Sequence, residues 1–208
     1  MKSILKLLVL VATLSAHSLA GAAIVTYGFS GKLTSSLGSL TSGDSFAGTY
    51  TVDTSLAATG GSTSSFAVFN NLRQATLTIG SFSAAVGPGA GLPEVQQDDV
   101  AGADRYALVA RNAIGSAPIS GLDLNTFGFR LDDTTGAAIS DALVLKTNLS
   151  LSDFTSNTFL MFFGDTSNPF AGFISGSLDA VFAVPEPGSL LLASLGLLGL
   201  ARTRRLLR

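Results

Sequence analysis

The chain contains no cysteine and no tryptophan, and its only histidine is His17. Without cysteine, neither disulfides nor thiolate metal sites are open to it, so a domain of this length has to be held by apolar burial. His17 stands in a hydrophobic N-terminal stretch, and removal of that stretch leaves no imidazole in the mature chain. Ser-His-Asp and Cys-His nucleophiles are then excluded, as is histidine-ligated zinc or iron. Charge is scarce as well: only 12% of the 208 residues are Asp, Glu, Lys or Arg. What charge there is lies unevenly. Lys2 and Lys6 sit near the start, and Arg202, Arg204, Arg205 and Arg208 sit at the end; between residues 21 and 187, six basic residues stand against all fourteen acids, a balance of eight negative charges. An acidic body lacks the basic patch that displaces counterions from a polyphosphate, so nucleic acid is excluded as a partner.

Long apolar runs are confined to the two ends. Lys2 and Lys6 lead into the run at residues 7–14, and small residues follow at Ser18-Leu19-Ala20. That order of basic, apolar and small segments predicts a secretory signal peptide over residues 1–20, with Ala22 or Ala23 as alternative ends and signal peptidase as the partner that removes it. At the other end, residues 188–201 read GSLLLASLGLLGLA without a charge and are followed by RTRRLLR. As a helix this run would be about 21 Å long, short of the roughly 30 Å hydrocarbon core, so it spans only with local thinning of the bilayer or snorkelling of Arg202. Positive residues remain on the cytoplasmic side, which puts the tail inside and the acidic body outside.

Between body and run stands Val184-Pro185-Glu186-Pro187. Proline removes a backbone donor and forces the residue before it into extended geometry, so Val184 and Glu186 are expected to be extended. Proteases and transpeptidases bind substrate backbone in that form. A Pro-Glu-Pro segment, a Leu/Gly-rich apolar run and an arginine-rich tail, in that order over residues 184–208, resemble the PEP-CTERM sorting domain of exopolysaccharide-producing Gram-negative bacteria. No Leu-Pro-x-Thr-Gly sortase signal occurs, since Leu92-Pro93-Glu94 continues differently. The resemblance implies that Val184, Pro185, Glu186 and Pro187 are the recognition residues for an inner-membrane exosortase. It implies further that residues 188–201 are the membrane anchor and that Arg202, Arg204 and Arg205, within the basic tail 202–208, are the stop-transfer charges. The expected route is export, transient anchoring in the inner membrane with the body in the periplasm, then release to the cell surface or extracellular matrix.

The body, residues 21–183, reads as short β-branched and aromatic runs broken by Gly, Ser, Asp and Pro clusters. Phe46, Gly48, Tyr50 and Val52 alternate with Ala47, Thr49, Thr51 and Asp53, and Phe127, Phe129 and Leu131 alternate with Gly128 and Arg130. Period two predicts strands with one buried face. Leu77 and Ile79 repeat the pattern, and residues 24–29, 106–110, 143–146, 159–163 and 174–182 are further candidates. About eight strands without a helical period predict an all-β, sandwich-like (jelly-roll-like) domain, flanked by the signal helix and a C-terminal transmembrane helix. A weak echo runs through Phe29-Ser30-Gly31, Phe46-Ala47-Gly48 and Ile174-Ser175-Gly176; glycine inside a strand marks a bulge or a close approach of backbones.

What chemistry remains is carboxylate chemistry. Asp98, Asp99, Asp132 and Asp133 are candidate oxygen ligands for calcium, without the spacing of an EF-hand, or a candidate acid/base set for glycan hydrolysis. Solvated turn aspartates account for the same residues. The expectation is a non-enzymatic structural or adhesive component of an exopolysaccharide or biofilm matrix, with a calcium-assisted carbohydrate-binding sandwich as the alternative and a glycan hydrolase after that.

Overall fold

The computed structural model describes residues 24–87, 94–165 and 167–185. The signal segment, the anchor run and the arginine tail lie outside the described residues. The strands, in chain order, are β1 (Ile24–Leu33), β2 (Ser45–Asp53), β3 (Phe66–Phe69), β4 (Leu72–Ile79), β5 (Phe82–Val86), β6 (Glu94–Val100), β7 (Ala103–Arg111), β8 (Ile114–Gly115), β9 (Asp123–Asp133), β10 (Ser156–Gly164) and β11 (Gly172–Val184). Helical structure among the described residues is limited to one 3-10 turn, Leu151–Asp153. All the pairings are antiparallel, in the order β3-β6-β7-β9-β10-β11-β1-β2-β4-β5-β8, so β11 is the middle strand of eleven.

This sheet curls onto itself. Tyr50 of β2 and Tyr106 of β7 lie five places apart in the strand order, yet their hydroxyls are 3.3 Å from each other. Phe29 of β1 packs on Phe129 of β9 with ring centroids 5.6 Å apart, and Phe46 stacks on Phe159 at 4.0 Å. The alternation in the sequence explains this: each strand sends every second side chain to one side, and curling lets two such faces share one core. The core is rich in rings, with Tyr27, Tyr50, Tyr106, Phe29, Phe127, Phe159 and Phe163 among its fully buried side chains. Burying one such ring contributes about 1.5–3 kcal/mol, which is how a chain without disulfides holds together. Burial also pushes the Tyr27 hydroxyl up to about 12 and raises that of Tyr50 well above the ordinary tyrosine value.

The Phe-x-Gly echo has a geometric cause. Phe29 is opposite Gly48, and Gly31 is opposite Phe46, so the two motifs on β1 and β2 pair reciprocally. Each ring lies over the facing glycine: a Cβ on Gly31 would strike the Ser177 carbonyl oxygen and the Phe46 ring, and one on Gly48 would strike the Thr76 carbonyl oxygen and the Phe29 ring. Gly176 faces Phe159 in the same way. The bulge expected near such glycines occurs as well. Pairing of β1 with β11 shifts between Ser30 and Gly31, leaving Asp179 as an extra residue on β11. The shift inverts the alternation, so Ile174 and Leu178 point inward before it, Val181 points inward after it, and Phe182 points outward.

The strand expected at residues 143–146 is not one. The segment is a loop held by the buried Gln97 of β6, whose Nε2 donates to the carbonyls of Ala142 (3.1 Å) and Val144 (3.0 Å) and whose Oε1 accepts from the Lys146 N–H (2.7 Å). A side-chain amide stands in for a neighbouring strand, and Leu143 and Val144 are left exposed. β6 itself escapes the alternation test because its inward positions include Gln97, which interrupts the apolar pattern.

Candidate functional site

The end of β11 is where the body meets the sorting segment. Ala183 pairs with Tyr27 and Val184 with Thr26, the last register pairs of the β1 ladder. Val184 is therefore extended as the proline after it requires. Pro185, exposed just beyond the strand, has no N–H to continue the ladder. Glu186, Pro187, Arg202, Arg204 and Arg205 lie outside the described residues.

The same end of the sheet receives the N-terminal side of the chain. Ile24 begins β1 and is opposite Asp53, the last residue of β2. Asp53 accepts from Arg73 Nη2 at 2.6 Å and from the Ser55 N–H at 3.0 Å, and these contacts hold its carboxyl down at about 2, the arginine contributing most. The turn leaving β2 is thus pinned where both chain ends leave the sheet. A tyrosine closes the gap on the inner side: Tyr27 donates its hydroxyl proton to the Thr147 carbonyl, drawing the loop after Gln97's clamp over the core.

The four candidate ligand aspartates are divided rather than gathered. On the outer face of β6, β7 and β9, Arg105 lies between Asp98 (Nη1 to Oδ2, 3.3 Å) and Asp132 (Nε to Oδ1, 3.0 Å), and Arg130 Nε reaches the other Asp132 oxygen at 2.7 Å. Partial burial raises the Asp98 carboxyl above its ordinary range, against the pull of Arg105. Asp133 points inward. Its oxygens accept from the N–H groups of Thr135 (2.9 Å), Ala137 (2.9 Å) and Ala138 (3.1 Å) and from the Thr135 hydroxyl, which lowers its carboxyl to about 2. Asp99 is opposite Asp104, whose Oδ2 accepts from the Ile139 N–H at 2.8 Å and whose buried Oδ1 has no hydrogen-bond partner. Among the described residues no group of three or more Asp, Glu or His side chains is arranged to hold a metal ion.

An all-β, sandwich-like body whose middle strand runs straight into a proline-punctuated segment defines the class: a β-domain carrying its sorting signal as an extension of its own sheet. The model of the PEP-CTERM protein-sorting motif matches residues 183–205, so the chain carries this motif at its C-terminal end, and the motif indicates an exported, exosortase-targeted protein with a membrane-anchored C-terminal sorting signal. No curated protein and no solved structure matches the chain. The matched segment begins inside the ladder, at Ala183. The sequence shows an unbroken apolar run from Ala180 to Val184 without a turn residue, but that run names no cross-strand partner.

Proposed function

We propose that the protein is a non-enzymatic structural or adhesive component of an extracellular polysaccharide matrix, delivered there by exosortase processing of its C-terminal segment. The observation that carries this reading is the direct passage of the middle strand into the sorting motif, which makes the whole sandwich the cargo of that signal. Support comes from the carboxylates, which are engaged in fastening strands and loops: Asp98 and Asp132 by Arg105, Asp133 by backbone N–H groups. The intact mass of the protein from envelope and medium, with and without the exosortase, tests delivery. A mass ending near Pro185 only when the enzyme is present is the expected result, and full-length protein in both strains would overturn it.

A second reading, a carbohydrate-binding sandwich, draws on one surface. Phe170 and Phe173 are exposed and stand 5.5 and 6.4 Å, centroid to centroid, from the ring of Phe162. Aromatic faces of this kind stack against the apolar faces of sugars. Retention on host polysaccharide that is lost in the double variant Phe170→Ser/Phe173→Ser would favour it, and retention unaffected by that change would count against it.

A further inference from the structure

We infer that the end of the sandwich from which the sorting segment leaves is a lipid-contacting surface that rests on the bilayer while the anchor is in place. Three observations point to lipid as the occupant. The first is reach. Val184 is still paired in the sheet, and the apolar run begins at Gly188, so even a fully extended chain separates the ladder from the run by no more than about 14 Å. A body on so short a tether cannot stand clear of the headgroups.

The second is what that end exposes. Leu143 and Val144 are 44% and 65% exposed on the loop that Gln97 and Tyr27 fasten across the core, and Phe182, two residues before the end of β11, is 52% exposed. Ile24, at the start of β1, is 49% exposed, and Leu56 follows the Asp53 that Ile24 faces. Half of the ten large apolar side chains exposed among the described residues thus lie where the tether leaves. The third is that the cation on this loop is already engaged. Lys146 pairs with Asp153 at 2.9 Å, while Asp141 keeps its negative charge though it accepts from the Leu143 N–H at 2.9 Å, so apolar contact and not a cation seeking headgroup phosphates sets the attraction. Apolar side chains of this kind settle about 5–10 Å into the headgroup and acyl boundary. Nothing in this depends on an exosortase; it needs only the inserted anchor.

Absence of cysteine makes the test direct, because any introduced thiol is the only one in the chain. The full chain is reconstituted into phosphatidylcholine vesicles with a fluorophore at Val144→Cys, at Phe170→Cys on the loop at the opposite end of β11, or at Leu192→Cys within the apolar run. Nitroxides on the headgroups or acyl chains serve as quenchers. The 13 residues of β11 put its two ends about 40 Å apart, so the Val144 and Phe170 positions report different heights. Expected are headgroup quenching at Val144 several-fold above that at Phe170, acyl-chain quenching at Leu192, and loss of the Val144 signal in a chain also carrying Leu143→Asp and Phe182→Ser. Equal, weak quenching at Val144 and Phe170 with Leu192 quenched would overturn the docking and leave the anchor standing. A Leu192 probe outside the bilayer would sink both.

Discussion

The two outer faces of the curled sheet follow the same alternation and spend it differently. Over β6, β7 and β9 the outward positions hold a charge relay, Asp98 to Arg105 to Asp132 to Arg130, with Arg111 bound to Glu94 at 2.6 Å nearby. Over β1, β2 and β4 the outward positions hold hydroxyls that pair across strands, Thr26 with Thr51 at 3.0 Å and Thr49 with Thr76 at 2.8 Å. Inside, both halves meet the same rings. The difference shows that the core fixes the fold while the outer row is free to carry either an ionic or a neutral ladder. The ionic one answers to pH and salt; the neutral one does not.

The sharpest way to break this comparison is to attack what the halves share. Phe29→Ala, behind the hydroxyl ladder, and Phe129→Ala, behind the charged one, each remove a buried ring from the core the two halves share. Each is expected to cost about 3 kcal/mol or more in urea unfolding followed by the near-ultraviolet circular dichroism of the buried tyrosines. A loss much smaller at one site would mean that the two halves do not share one tight interior.

Next in size is acid. Asp53 and Asp133 are held down at about 2, so the stability they add is fully present above the ordinary carboxylate value near 4 and is lost as pH falls through about 2. Thermal melts between these pH values should show the decline, and Asp133→Asn, which keeps the shape but removes the titration, should flatten it. A curve unchanged by that substitution would assign the decline elsewhere. Arg105→Gln is expected to cost about 1 kcal/mol by leaving Asp98 and Asp132 facing each other without their shared cation. That loss should shrink in high salt, and a salt-independent loss would point to packing of the arginine stem. Smallest is the double substitution Thr49→Ala/Thr76→Ala, expected within about 0.5 kcal/mol of the parent at any salt concentration. A larger change would give the hydroxyl ladder a structural weight that its exposure does not suggest.

Much of the architecture was legible because it rests on period two and on rings. Phe46 to Val52 and Phe127 to Leu131 declare an inward face in the sequence alone, and the Phe-x-Gly echo is the imprint of a reciprocal cross-strand fit. The segment at 143–146 misleads because Leu143, Val144 and Leu145 read as strand locally, while the deciding contact comes from Gln97, far away in sequence. Of the strands that went unread, β8 has only two residues, β3 is apolar at all four positions, and in β5 Ala84 and Ala85 put the same small side chain on both faces. Of the sorting site, the order of its three parts was plain to read; its beginning inside a ladder was not, because cross-strand partners such as Thr26 and Val184 are named only by the fold.

The position of β11 also decides how the protein bears load. A pull on the anchor acts along the middle strand, which is bonded to β1 on one side and to β10 on the other. Such a strand is dragged lengthwise past both neighbours, so many hydrogen bonds have to fail together. An anchor on an edge strand would be peeled away one bond at a time. The protein is tied to its tether through the part of the sheet that resists force best.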